Sequence, residues 1–186
     1  MTGVQTCALP IYKLCKNNRL CYSLLMTTNK RDLAVYVLVR TDIPSMNPGK
    51  AMAQVHHAGV QMMQNFKDAN LVKEYIKMGN ESGANGFNTT IVLSATLKII
   101  NYCLTRSLSV KPCVSNAVVD PSYPFVVDRE AYEYMLTLNN CVGNIATHLN
   151  DDKVLITREE TTCAWFLGDR NNTEFRALFE GLKLHD

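Results

Sequence analysis

Residues 33–41, LAVYVLVRT, are apolar at almost every position and rich in β-branched and aromatic side chains, the pattern of a strand buried on both faces. Two prolines, a Ser and an Asn then fall within residues 42–48, and Gly49 opens a run to Phe66 that is free of helix breakers apart from Gly59. This predicts a strand, a loop and a helix. Asp68 is placed to cap a second helix through about Met78, GNESGANG at 79–86 reads as a connection, and residues 89–95 form a second strand. A third helix is predicted over 97–108. A third strand over 113–119 is expected to stop at the Asp120, Pro121 pair, because proline lacks the amide donor and restricts the residue before it. Beyond it the pattern predicts a helix over 128–140 and two strands, 154–158 and 162–167, the second ended by Gly168. Thr173 then caps a closing helix to about Gly181, and the LKLHD tail packs on the sheet. Strands alternating with helices favour an α/β sheet.

At 186 residues the chain has the length of one domain, and 47% hydrophobic content suffices for an ordinary core. No apolar run approaches the roughly 20 residues a bilayer span requires, so no membrane association is expected. The seven cysteines contain no C-x-x-C pair and no His at zinc-ligand spacing, and they read as reduced thiols of a cytoplasmic protein. Residues 1–11, MTGVQTCALPI, look like an in-frame translation of a sequencing-library adapter, and residues 12–25 lack the order of a secretory signal. The expected organisation is therefore a leader over 1–25 and a domain over 26–186, beginning at Met26. Without Lys13, Lys16 and Arg19 the formal charge falls from +2 to −1, so net charge argues for no particular partner.

Successive helical residues turn by about 100 degrees, which gathers Lys50, Gln54, His57 and Gln61 into one polar stripe. Met52, Val55, Gly59, Met62 and Met63 fall opposite and are expected to face the sheet. Periodicity alone makes the stripe an ordinary solvated side. The Gly49, Lys50 pair after a strand is not a nucleotide-binding loop, since Pro44 and Ala51 stand where Gly and a hydroxyl are required. What survives is a helix start beside an ammonium, a place that stabilises a phosphate or an oxyanion. Adjacent His56 and His57 point in different directions and mark no third ligand, so neither a metal nor any other cofactor is expected.

The run LAVYVLVRTDIPSMNPGKAMAQVHHAG resembles the opening signature of type II peptidyl-tRNA hydrolases: an apolar strand, RTD, a loop, then GK-x-x-AQ-x-x-HA. It aligns Gly49, Lys50, Ala53, Gln54, His57 and Ala58 with the motif, and Arg40, Thr41 and Asp42 with the strand end. NAVVDP puts Asp120 at the position of a family Asp, and TTCAWFLGD with the closing EFRALFEGLKLH resembles the final strand and ending. The resemblance implies a single-domain mixed β-sheet flanked by helices and a metal-free esterase acting on peptidyl-tRNA. It assigns catalysis to Lys50, Asp120, Gln54 and His57, and substrate contacts to Gly49, Arg40, Thr162 and Ser122. Lys50 stabilises phosphate or oxyanion, and Asp120, expected beside it, orients water, since a carboxylate next to an ammonium is a weak base.

Two departures stand out. The family Asp is followed by Ala-Gly and, four positions on, by Thr, whereas DPSYP puts Pro124 there and leaves Ser122 or Tyr123 to supply a hydroxyl. Residues 125–160 form an insertion. These forms resemble divergent members of the family, many of them viral or from mobile elements. Bland readings stand beside the functional ones: His57 hydrogen-bonding the adjacent loop, Asp42 capping it, Thr161 and Thr162 as plain strand residues, and Cys163 as core. A non-catalytic RNA- or protein-binding module and a small-molecule hydrolase are the competing functions, and a homodimer is left open.

Overall fold

A computed structural model describes residues 31–43, 45–81, 88–138 and 146–185, for 146–148 the backbone alone; the expected leader and its junction at Met26 lie outside these residues. Strand β1 (Leu33–Arg40) leads through a loop to α1 (Pro48–Asn65) and α2 (Asn70–Glu81), then β2 (Thr89–Ala95) and α3 (Leu97–Ser107) follow. The second half holds β3 (Cys113–Asp128), α4 (Arg129–Thr137), β4 (Ala146–His148), β5 (Lys153–Asp169) and α5 (Thr173–Ala177). The sheet order is β2-β1-β5-β3, with β4 added to the far half of β5. Only the β1–β2 pair is parallel, so the sheet is mixed. The fold is an α/β sheet flanked by helices, and all described residues lie in one compact unit.

Alternation along the two central strands divides the core. Val35, Val37 and Val39 of β1 and Cys163, Trp165 and Leu167 of β5 meet Ala51, Ala58 and Met62 of α1 and Leu71, Val72 and Tyr75 of α2. Leu38, Ala164 and Phe166 point the other way, onto Ile100 and Cys103 of α3 and Phe175, Leu178 and Phe179 at the end of the chain. Both faces are covered, which is why β1 reads as unbroken apolarity.

Several boundaries differ from those the sequence predicts. β3 does not stop at Asp120 but runs on to Asp128, pairing with β5 past two register shifts that flank Asp120. Proline is tolerated there because a shifted register asks for no ladder bond. The two expected strands over 154–167 are one, and Gly168 lies inside it, opposite Ala34 and Cys113. A β-carbon on Gly168 would stand 2.4 Å from the Phe175 ring, so glycine there lets α5 lie on the sheet. Asp68 does not begin α2, which starts at Asn70 and runs on through Gly79 to Glu81. Asn172, not Thr173, caps α5, its Oδ1 accepting from Glu174 and Phe175 amides. The tail does pack on the sheet, through an antiparallel bridge from Leu184 to Leu93.

Candidate active site

Helix α1 starts at a capped turn: Asn47 Oδ1 accepts from the Lys50 amide at 2.9 Å, the Asn47 carbonyl accepts from Ala51, and Pro48 has no amide to satisfy. Among the described residues this leaves the Gly49 amide as the one donor of that turn without a partner. It points a half-satisfied helix start at the solvent beside the Lys50 side chain.

The face that α1 turns to the sheet is the predicted one only in part, with Met62 in the core and Val55 packed against it. Ala51, Gln54, Ala58 and Met62 are buried, whereas Met52 and Met63 are exposed, Met52 by 71%. The stripe expected in water is split, and its two glutamines look inward. Gln61 donates to the Ala117 carbonyl at 3.1 Å and accepts the Trp165 indole N–H at 2.8 Å. Gln54, 4% exposed, bridges two strands. Its Nε2 donates to Asp120 Oδ2 at 3.3 Å and its Oε1 accepts the Thr162 hydroxyl at 2.6 Å. The direction of this relay is fixed by chemistry: an ionised carboxylate only accepts, so the amide NH2 must face Asp120 and the oxygen must face Thr162.

The sheet irregularities create this contact. In the first register shift Thr162 is the residue by which β5 exceeds β3, and in the second Pro121 and Ser122 oppose Glu159 alone. Bulges of this kind re-aim side chains. Asp120 is thereby held at both oxygens, Oδ2 by Gln54 and Oδ1 by the Ser122 amide at 3.0 Å. It lines a cleft of about 270 Å³ together with His57, Gln61, Val118 and Pro121. A larger recess of about 390 Å³ on the other flank of α1, among Pro48, Met52, Val55, Val92 and His185, is walled mainly by apolar groups and holds no carboxylate.

Lys50 does not stand beside Asp120 in an ion pair, as the sequence led one to expect. Its ammonium lies over the Tyr123 ring, 5.0 Å from the centroid. Tyr123 offers no hydroxyl to the cleft either: it is 1% exposed and its phenol approaches Met46 Sδ at 3.9 Å. Ser122 is exposed on the turn that holds Asp120. His57 is exposed on the cleft rim and has no hydrogen bond to a neighbouring loop; its ring is 6.4 Å from that of His56. Among the described residues no three His, Cys, Asp or Glu side chains converge.

Arg40, 7% exposed, is the hub of a second network. It bonds Asp42 through Nε at 2.8 Å, Glu160 through Nη1, and the Thr161 carbonyl at 3.1 Å. Asp42 also accepts from the Leu97 amide at 3.3 Å, so it caps α3 as well as pairing Arg40. The Arg40 hydrogen bond holds the Asp42 carboxyl below the usual range against the opposing effect of burial. Cys163 is wholly buried, its thiol pushed up to about 12 by desolvation, and belongs to the core. Glu160 and the Tyr123 ring are the candidate-site residues that sequence reasoning missed, while Gln61 was placed in the polar stripe without a role. The one available signal was the charged REE run, residues 158–160, inside a strand pattern.

Replacing Thr162 with Val should test the relay. The change keeps the shape but strands the Gln54 carbonyl oxygen in the core, and an expected loss of about 1–3 kcal/mol follows. Denaturant titration measures it; unchanged stability would mean that the amide is satisfied in some other way.

The family model described as Peptidyl-tRNA hydrolase PTH2 matches residues 33–98, which hold β1, the RTD turn, α1, α2, β2 and the start of α3. None of the curated proteins compared matches the chain. Among solved structures, a protein of unknown function, Atu0240, from Agrobacterium tumefaciens strain C58 is 12% identical, with a TM-score of 0.35 over 83% of this chain and 98% of that one. The segment that carries Lys50, Gln54 and His57 is thus similar to the type II peptidyl-tRNA hydrolase family.

Proposed function

We propose that the protein hydrolyses the ester joining peptide to tRNA in peptidyl-tRNA, releasing the peptide and free tRNA, in the cytoplasm and without a cofactor. The observation that carries this reading is the Thr162–Gln54–Asp120 relay, which presents an oriented carboxylate to an open cleft on the helix that bears Lys50. Hydrolysis asks little more: water held against the carbonyl carbon, charge beside the developing oxyanion, and a grip on the sugar-phosphate end.

In this mechanism Asp120 accepts a hydrogen bond from water and aims it at the ester carbonyl. As the carbon–oxygen bond to water forms, the Lys50 ammonium stabilises negative charge on the carbonyl oxygen. The bond to the ribose oxygen then breaks, and that oxygen leaves with the proton given up by the attacking water. His57, on the same cleft and open to solvent, is placed to pass that proton. The Gly49 amide gives a phosphate oxygen a backbone donor. Arg40, consumed by two carboxylates, holds the strand ends together and reaches substrate only through them.

A second reading, a non-catalytic RNA-binding module, is favoured by Pro124 at the family Thr position, and its carbonyl is occupied by Ser45 Oγ at 3.1 Å. Peptidyl-tRNA and the parent protein decide between them. Release of free tRNA is the expected result; tRNA binding without release would establish the module. Turnover should also persist after exhaustive dialysis against EDTA, and a loss reversed by zinc would overturn the metal-free mechanism.

A further inference from the structure

The Lys50 ammonium is met by a ring and not by a carboxylate. That ring is firmly set. Phe125 packs edge-on to Tyr123 at 5.3 Å and 67°, Met46 lies against its phenol, and Ser45 bonds the carbonyl of the next residue, Pro124. The loop that leads into α1 and the strand that carries the ring are thus stitched together.

An aromatic face attracts a cation through its quadrupole. Unlike an ion pair, it uses none of the ammonium's three N–H donors and cancels none of its charge. Asp120, meanwhile, is held by the Gln54 amide and the Ser122 backbone rather than by Lys50. The two charged groups of the site are fixed separately, each with its capacity for substrate intact.

We propose that Tyr123 is the positioning residue for Lys50, acting through its ring and not its hydroxyl, so that the DPSYP turn supplies an aromatic support to the substrate-facing ammonium. The proposal rests on the hydrolase reading for its functional half, and on the geometry alone for its structural half.

The test reads both halves in the full chain. With lysine labelled by carbon-13, the Lys50 side-chain protons should resonate upfield of the other lysines, because they sit in the Tyr123 ring current. Tyr123→Phe should keep that shift and hold turnover of peptidyl-tRNA within about twofold of the parent. Tyr123→Leu should abolish the shift and lower kcat about tenfold, with much less change in KM. A Phe variant as impaired as the Leu variant would assign the role to the hydroxyl and overturn the proposal. So would a Leu variant with parental kcat. Should the Leu variant fail to fold, the parent spectrum decides: Lys50 protons at the position of unperturbed lysine would overturn the inference. A ring-dependent shift in a protein that releases no tRNA would leave the supported ammonium standing and remove the hydrolase reading.

Discussion

Lys50→Ala should lower turnover of peptidyl-tRNA on the order of 100-fold or more, about 2.7 kcal/mol of transition-state stabilisation, while leaving the melting temperature near that of the parent. Lys50 is partly exposed at a helix start, so its removal opens no cavity and strands no partner. Asp120→Asn keeps the shape and lets Gln54 still donate to an oxygen, so it isolates the charge; a fall on the order of 100-fold is expected. The two side chains make no contact with each other, yet in the proposed mechanism both act on one bond of one substrate. The double variant should therefore be far less impaired than the product of the single losses. Full multiplicativity would mean that the two serve different steps, and full activity in Lys50→Ala would remove the enzyme reading.

The largest expected loss of stability lies one strand away. Arg40→Met, at a position 7% exposed, leaves Glu160 half-buried without its main cation and should cost about 3–5 kcal/mol by denaturant titration. Adding Glu160→Gln should return part of that loss, because the stranded charge goes with it. Asp42 adds a pH dependence with a definite sign. Its folded carboxyl titrates below the ordinary 3.8, so its stabilisation is complete above that value and fades as pH falls through the lower folded one. In Arg40→Met the depression should shrink to what the Leu97 and Asp42 amides supply, and this part of the acid transition should weaken. An Arg40→Met protein as stable as the parent would show that the ion pairs do no more than balance their desolvation.

The first half of the fold is legible in the sequence because there each residue's character matches its surroundings. β1 is apolar on both sides because helices cover both, and α3 follows a Thr96 cap within a residue or so of its predicted ends. The orientation of α1 is illegible for the opposite reason. Periodicity sends Gln54 and Gln61 to water, but the sheet under them offers a hydroxyl, a carboxylate, a carbonyl and an indole N–H that satisfy every inward amide. A polar pair read as surface thus lies under the candidate site. Asp120 is singled out by its motif, but the strand around it is not legible: proline marks the end of a strand in most contexts, and only the long-range pairing of β3 with β5 carries the chain past it. The motif singles out Lys50 as well, but not its partner, since nothing local tells that Tyr123 four elements later will come to lie under it.

The tail's bridge to β2 has a consequence for how the protein behaves at high concentration. The Ser94 amide donates to the Lys183 carbonyl at 2.9 Å and the His185 amide to the Val92 carbonyl at 3.0 Å, while the Tyr75 hydroxyl takes the Thr89 carbonyl at 3.2 Å. One outer strand thus has its outward hydrogen-bonding groups partly claimed. On the other, β3, Pro121 and Pro124 interrupt the run of amides, and the added β4 is only three residues long. Among the described residues both outer strands thus carry a device that interrupts sheet continuation, and pairing with a strand from another molecule is disfavoured on each side for an unrelated reason.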